Sequence, residues 1–132
     1  MKIFVIMSHV LTEKQMQELQ SRFSPQEIIP LPEHLKQIWS NIPPEGPWND
    51  RWLADIFSWL EAQLAPGDMA IVQGEFGATF SLVNWLQRRG HSVYYSTTER
   101  KAVERKTEDG SIIVQRTFDH VCFRKYPNYK SY

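Results

Sequence analysis

Met69-Ala70-Ile71-Val72 runs without a break into Gln73-Gly74-Glu75-Phe76-Gly77-Ala78-Thr79, and this stretch decides the fold. The four apolar residues read as a short buried strand. From Phe80 to Arg89 the pattern becomes helical. A strand that feeds a helix through a glycine-bearing turn exposes backbone N–H groups at the helix N-terminus, where they and the helix dipole favour an anion. Glycines also let a ligand approach the main chain closely. The turn therefore reads either as a phosphate-contacting loop or as a tight strand-to-helix connection in which Gly74 and Gly77 only make room.

Strands and helices alternate outward from this turn. Residues 2–7, Lys2-Ile3-Phe4-Val5-Ile6-Met7, read as a first buried strand and Ser8-His9-Val10-Leu11 as the loop after it. Thr12 with Gln15 three residues on forms a capping box for a helix whose apolar face is Met16, Leu19 and Phe23. Ser24-Pro25 ends that helix, and residues 27–30 make a second strand. A helix follows over 32–41. Pro43-Pro44-Glu45-Gly46-Pro47 is a loop, since proline removes the donors that a helix needs. Asp50 is placed to cap a helix over 51–64, with Leu53, Ile56, Phe57 and Leu60 at helical spacing. The helix after the glycine turn spans 78–89, Gly90 takes the C′ position, and residues 92–96 are a fourth strand. Segments 100–107 and 111–124 then flank Glu108-Asp109-Gly110, whose Asp-Gly step favours a hairpin. The tail, 126–132, reads as irregular or docked at an interface.

This order predicts an α/β fold with a parallel sheet, in strand order 2-1-3-4, flanked by helices and extended by a C-terminal β-hairpin. The 132 residues suit a single domain spanning the chain, 1–132. No apolar run approaches a membrane span, and the N-terminus reads as a strand, without the small-residue cleavage site of a signal peptide. A single cysteine, Cys122, excludes an intramolecular disulfide framework and a cysteine-rich zinc site. A cytoplasmic protein is expected.

The net charge of zero hides an asymmetry: residues 1–87 hold 5 Lys+Arg against 10 Asp+Glu, and residues 88–132 hold 10 against 5. An anionic ligand would favour the C-terminal third. Long nucleic acid is not expected, because no extended basic stripe is present.

In a sheet of order 2-1-3-4 a ligand sits beyond the carboxyl ends of the strands, where the order reverses between strands one and three. Ser8-His9, Gln73 to Thr79, and Ser96-Thr97-Thr98-Glu99-Arg100 all fall on that rim. Their chemistry suits a phosphodiester. Ser8, Thr79, Thr97 and Thr98 offer hydroxyls, and Gly77, Ala78 and Thr79 offer N–H groups. Arg100 offers a guanidinium fork, and Phe76 a face for base stacking. Gln73 and Gly74 complete the turn. Each hydroxyl also has an ordinary reading, as a helix cap or a strand end.

Of the histidines, His34 and His91 read as structural or solvated. His9 lies at the first strand end. His120 lies in Phe118-Asp119-His120-Val121-Cys122-Phe123-Arg124, where strict alternation would put His120, Cys122 and Arg124 on one face. A histidine and an arginine there could serve a phosphodiester, or the histidine could be a satisfied strand residue. No metal-ligand spacing, Walker loop or nucleophile elbow occurs, so neither metal nor cofactor is expected. The tryptophans read mostly as core, with Trp39-Ser40-Asn41-Ile42-Pro43-Pro44 a possible interface or ligand rim.

These motifs also occur in a set order: Ser8-His9-Val10-Leu11-Thr12, Leu31-Pro32, Trp39-Ser40-Asn41-Ile42-Pro43-Pro44, Gly67-Asp68, Gln73-Gly74-Glu75-Phe76-Gly77-Ala78, Thr97-Thr98-Glu99-Arg100, and Phe118-Asp119-His120-Val121 with Phe123-Arg124 and Tyr126. Together they resemble the Csx-twenty family of ancillary proteins of type III CRISPR systems. The resemblance implies a CARF-like, Rossmann-like homodimer that takes a cyclic oligoadenylate, foremost cyclic tetra-adenylate. It implies either a ring nuclease, a metal-independent phosphodiesterase that switches off antiviral signalling, or a non-catalytic binder acting as a sponge. The resemblance carries over no catalytic set; topology and chemistry make His9, His120 and Arg124 the candidate catalytic residues, with His9 or His120 for proton transfer and Arg100 or Arg124 for phosphate charge. Ser8, Gln73, Gly74, Phe76, Gly77, Ala78, Thr79, Thr97, Thr98 and Arg100 are the candidate ligand contacts.

Overall fold

Ile3, Phe4, Val5 and Ile6 are all buried, which a strand achieves only when both faces of its sheet are covered. They form β1 (Lys2–Ile6), paired in parallel with β2 (Glu27–Pro30) on one side and β3 (Met69–Val72) on the other. β4 (Val93–Lys106) joins β3 in parallel, and β5 (Ile112–Lys125) joins β4 antiparallel. The order is β2-β1-β3-β4-β5. The computed structural model describes residues 1–129, and within them the fold is α/β, a mixed but mostly parallel sheet with four helices. The last residues of the tail, 130–132, lie outside the described residues.

The helices divide between the two faces. α1 (Glu13–Phe23) packs Leu19 with Ile3, Val5, Ile71 and Phe123. α2 (Glu33–Ser40), α3 (Ala54–Gln63) and α4 (Phe76–Arg88) bring Leu35, Trp39, Ile56, Leu60, Leu82 and Leu86 against Phe4, Ile6 and Val72. The capping box at Thr12 and Gln15 forms as read. α3 differs at its start. A 3₁₀ turn, Asp50–Leu53, precedes it and is capped by Asn49, whose side chain accepts from Arg51 N–H at 3.0 Å, while α3 itself begins after Leu53 with no side-chain cap. The Asp50 carboxylate instead accepts from the Trp48 indole N–H at 2.8 Å.

Asp68, in the turn before β3, ties three segments together. Its carboxylate accepts from the backbone N–H groups of Lys2 and Ala65, each at 2.8 Å, and lies 3.4 Å from the Lys2 ammonium. Burial works to raise the carboxyl, but those donors and that charge hold it below its ordinary value.

The C-terminal hairpin corrects two expectations. The fourth strand does not end near Ser96. It continues to Lys106, because no glycine or proline interrupts it and β5 pairs with it throughout. The turn is the expected one, with Gly110 at φ +87°. Secondly, His120 does not share a face with Cys122 and Arg124. Thr97 opposes Cys122 but Thr98 opposes His120, so Val121 is an extra residue and the ladder bulges. The bulge turns His120 towards α1, beside Phe123, and leaves Cys122 and Arg124 on the other face, in line with Thr97 and Tyr95.

Candidate functional site

The outer face of α4, the end of β3 and the tail after β5 border a solvent-open cavity of about 740 Å³. Phe76, Phe80, Tyr95, Tyr126 and Tyr129 supply aromatic walls, and Gln73, Asn84 and Gln87 supply amides. Phe76 and Phe80 are 94% and 77% exposed, four residues apart on one helical face and away from the buried stripe of Ala78, Leu82 and Leu86. The tail is held in place. Tyr126 donates its N–H to Val93 C=O at 2.8 Å and its hydroxyl to Val72 C=O at 2.7 Å, and its ring meets that of Tyr95 at 4.7 Å. Burial pushes the Tyr126 phenol up to about 12, so it remains a donor. Thr79 also lines the cavity, and its hydroxyl has no hydrogen-bond partner among the described residues.

The glycine turn has a packing explanation. A Cβ on Gly74 would fall 2.6 Å from the Trp39 indole, which is buried and donates its N–H to Gln73 C=O at 2.9 Å. A Cβ on Gly77 would meet the Trp48 ring at 3.0 Å. Each glycine thus makes room for a tryptophan, and Trp39 is core, neither interface nor rim. The helix N-terminus already holds an anion: Glu75 is the N-cap, and its carboxylate accepts from Gly77 N–H. Thr79 N–H donates to Glu75 C=O at 2.9 Å, and the Ala78 side chain is buried.

Of the sequence-derived ligand contacts, the structure brings Gln73, Gly74, Phe76 and Thr79 to the cavity. Gln73 also closes the sheet beside it, its Oε1 accepting from Ser96 N–H at 3.0 Å. Ser8 is exposed and accepts from the Ser40 hydroxyl at 2.9 Å. The Thr97 hydroxyl donates to Cys122 C=O at 3.0 Å. Thr98 and Arg100 are exposed on the extended hairpin, with Arg100 over the Phe118 ring.

The three candidate catalytic residues are not brought together. His9 lines a separate cavity of about 440 Å³ with Met7, Leu11 and Lys36. His120 is buried between the Ser96 hydroxyl, on its Nδ1, and Glu18 Oε1, 2.7 Å from its Nε2. The other Glu18 oxygen accepts from Phe123 N–H at 2.8 Å and from Arg22. Arg124 alone stays near the aromatic cavity, donating to the Tyr95 hydroxyl at 3.4 Å.

The family described as the uncharacterized protein MJ1673 family matches residues 1–124. The chain belongs to that family. It is 40% identical over 128 residues to the uncharacterized protein MJ1673 of Methanocaldococcus jannaschii, an alignment that covers 97% of this chain and 98% of that protein. No solved structure matches it. The family match takes in β1 to β4, the four helices and β5 as far as Arg124, while the cavity residues Tyr126, Pro127 and Tyr129 follow the residues matched by the family.

In this member of the MJ1673 family Gly74→Ala should be destabilising, because the new methyl group must displace a packed indole. The expected loss is about 1–3 kcal/mol, read as a lower urea midpoint with an unchanged slope. A midpoint equal to wild type would show that the Trp39 contact does not require glycine.

Proposed function

We propose that this chain is a ring nuclease, which binds a cyclic oligoadenylate, foremost cyclic tetra-adenylate, in the aromatic cavity and cleaves it. In this reading the fold is CARF-like and Rossmann-like. The protein works as a homodimer in the cytoplasm, switching off type III CRISPR antiviral signalling. The observation that carries it is the solvent-facing aromatic set Phe76, Phe80, Tyr95 and Tyr129 beside the amides Gln73, Asn84 and Gln87. Aromatic faces stack bases. An amide carries both a donor and an acceptor, which matches the N6 amino group and ring nitrogens of adenine. The volume is in the range of small-ligand sites.

Cleavage needs little beyond positioning. The ribose 2′-oxygen attacks the adjacent phosphorus in line, and the bond from phosphorus to the 5′-oxygen breaks. The 2′-hydroxyl proton leaves to a base and a proton reaches the 5′-oxygen. The products are a 2′,3′-cyclic phosphate and a 5′-hydroxyl. Arg124, held by Tyr95, is the cation best placed to balance charge on the phosphate.

A second reading, a non-catalytic binder, is favoured by one observation: His9 and His120 both lie away from the cavity. Incubating purified protein with labelled cyclic tetra-adenylate, with and without EDTA, separates the two. The expected result is a linear product ending in a 2′,3′-cyclic phosphate in both arms, and at least about a tenfold slower rate for Arg124→Ala. Tight binding with the ring returned intact would establish the binder. No affinity for any ring size would overturn both readings.

A further inference from the structure

β3 meets β4 only at Val93 and Tyr94. Beyond Ser96, whose N–H is taken by Gln73, no strand pairs with the outer edge of β4 among the described residues. The segment from Thr98 to Lys106 is exposed throughout and, among the described residues, is backed only by β5. At the rise of a strand it extends about 30 Å as a two-stranded arm. A long free edge invites another strand, and proteins commonly blunt it with charge. Here the charges do more than blunt, because their order is self-complementary.

The arm reads Thr98-Glu99-Arg100-Lys101-Ala102-Val103-Glu104-Arg105-Lys106. When two copies pair antiparallel about a two-fold axis, one residue faces itself and its neighbours pair symmetrically. With Ala102 on the axis, Glu99 faces Arg105 of the second copy and Arg100 faces its Glu104. Symmetry doubles both pairs. Lys101 then faces Val103, Thr98 faces Lys106, and no like charges meet. The self-facing residue is small. Moving the axis to Val103 sets Lys101 against Arg105 and Arg100 against Lys106, and moving it to Lys101 leaves no ion pair. On β5, Arg116 is the lone charged residue from Ile112 to Phe118, and no two-fold register sets it against an acid within the strand. Directly opposed, oppositely charged side chains support strand pairing, and like charges oppose it.

We infer that the outer edge of β4 is a homodimer interface, in which two arms pair antiparallel about Ala102 and join two sheets. The occupant is a second copy of this chain. The inference gives the homodimer of the messenger reading a surface, yet it uses no property of the messenger.

The test is made without nucleotide. Sedimentation of the full chain at micromolar concentration should show a dimer. Glu99→Lys places repulsion in two symmetric pairs and should weaken association about tenfold or more. Combining it with Arg105→Glu exchanges the two charges within each chain, recreates both pairs, and should restore wild-type association. With Cys122→Ser as background, Ala102→Cys should cross-link on oxidation, because opposed Cα atoms in an antiparallel pair lie at about 4.5–5.5 Å, within disulfide reach. Val114→Cys, on β5, should not. A monomer, a dimer that Glu99→Lys leaves unchanged, a double variant that stays weak, or cross-linking through Val114→Cys would each overturn the interface. A monomer that still binds the tetra-adenylate ring would overturn the interface alone, and a dimer without ring affinity would overturn the messenger reading alone.

Discussion

Glu18→Ala should lower the unfolding free energy by about 3 kcal/mol, the range for removing one partner from a buried polar cluster. The carboxylate is the hub that fixes the root of β5 to α1. It accepts from Phe123 N–H at 2.8 Å, contacts His120 Nε2 at 2.7 Å and pairs with Arg22 at 3.1 Å. Without it a buried backbone donor and a buried imidazole nitrogen lose their partner at once. Glu18→Gln keeps an acceptor oxygen and should cost less than half as much. The measurement is a denaturant titration of both variants at neutral pH. Equal and small losses, within about 0.5 kcal/mol of wild type, would show that water replaces the carboxylate and that β5 is held by the sheet alone.

The same carboxylate makes stability depend on pH. Burial acts to raise it, but the Phe123 N–H, His120 and Arg22 together hold it below its ordinary value of 4.5. A depressed carboxyl contributes stability that is fully present above the unfolded value and is lost as pH falls through the folded one. Wild type should therefore lose its advantage over Glu18→Gln progressively below about pH 4.5. Asp68 acts in the same direction, since its carboxyl is also held low.

The sequence showed the layer order well, because that order rests on local signals. Continuous apolar runs mark β1 and β3, a capping box opens α1, and Asp-Gly turns the hairpin. Of the readings that failed, two depend on distant partners. The two glycines read equally well as a phosphate cradle or as spacing, and only the tryptophans folded against them decide: Trp39 and Trp48 come from elsewhere in the chain. The bulge at Val121 escaped because alternation is a local rule, while the bulge is set by pairing with β4. Moving His120 to the opposite face separated it from Arg124 and gave it to Glu18. The cavity left one legible trace. Phe76 and Phe80 lie off the buried stripe of α4, where aromatic residues have no core to fill, but the Tyr95 and Tyr126 that complete the site come from a strand and a tail that no periodicity joins to α4.

Those two phenylalanines carry the sharpest functional expectation. Phe76→Ala and Phe80→Ala should each weaken tetra-adenylate binding about 5- to 150-fold, the equivalent of about 1–3 kcal/mol per stacked base. Neither should lower the thermal midpoint appreciably, since side chains that are 94% and 77% exposed contribute little to folding. If the proposed ring nuclease reading holds, stacking would act on the bound ring and on the reacting ring alike, so the loss should appear in KM while kcat changes little. Phe80→Tyr keeps the aromatic face and should retain affinity. Titration calorimetry of the four proteins, paired with melting curves, reads both quantities on the same samples. Unchanged affinity in both alanine variants would remove the outer face of α4 from the site and leave the aromatic pair without a ligand. A lost melting transition would instead make the pair structural, packed against the tail at Tyr126 and Pro127. The distinction turns on exposure: residues this open gain little from folding, and a base stacked against them would account for why they are aromatic.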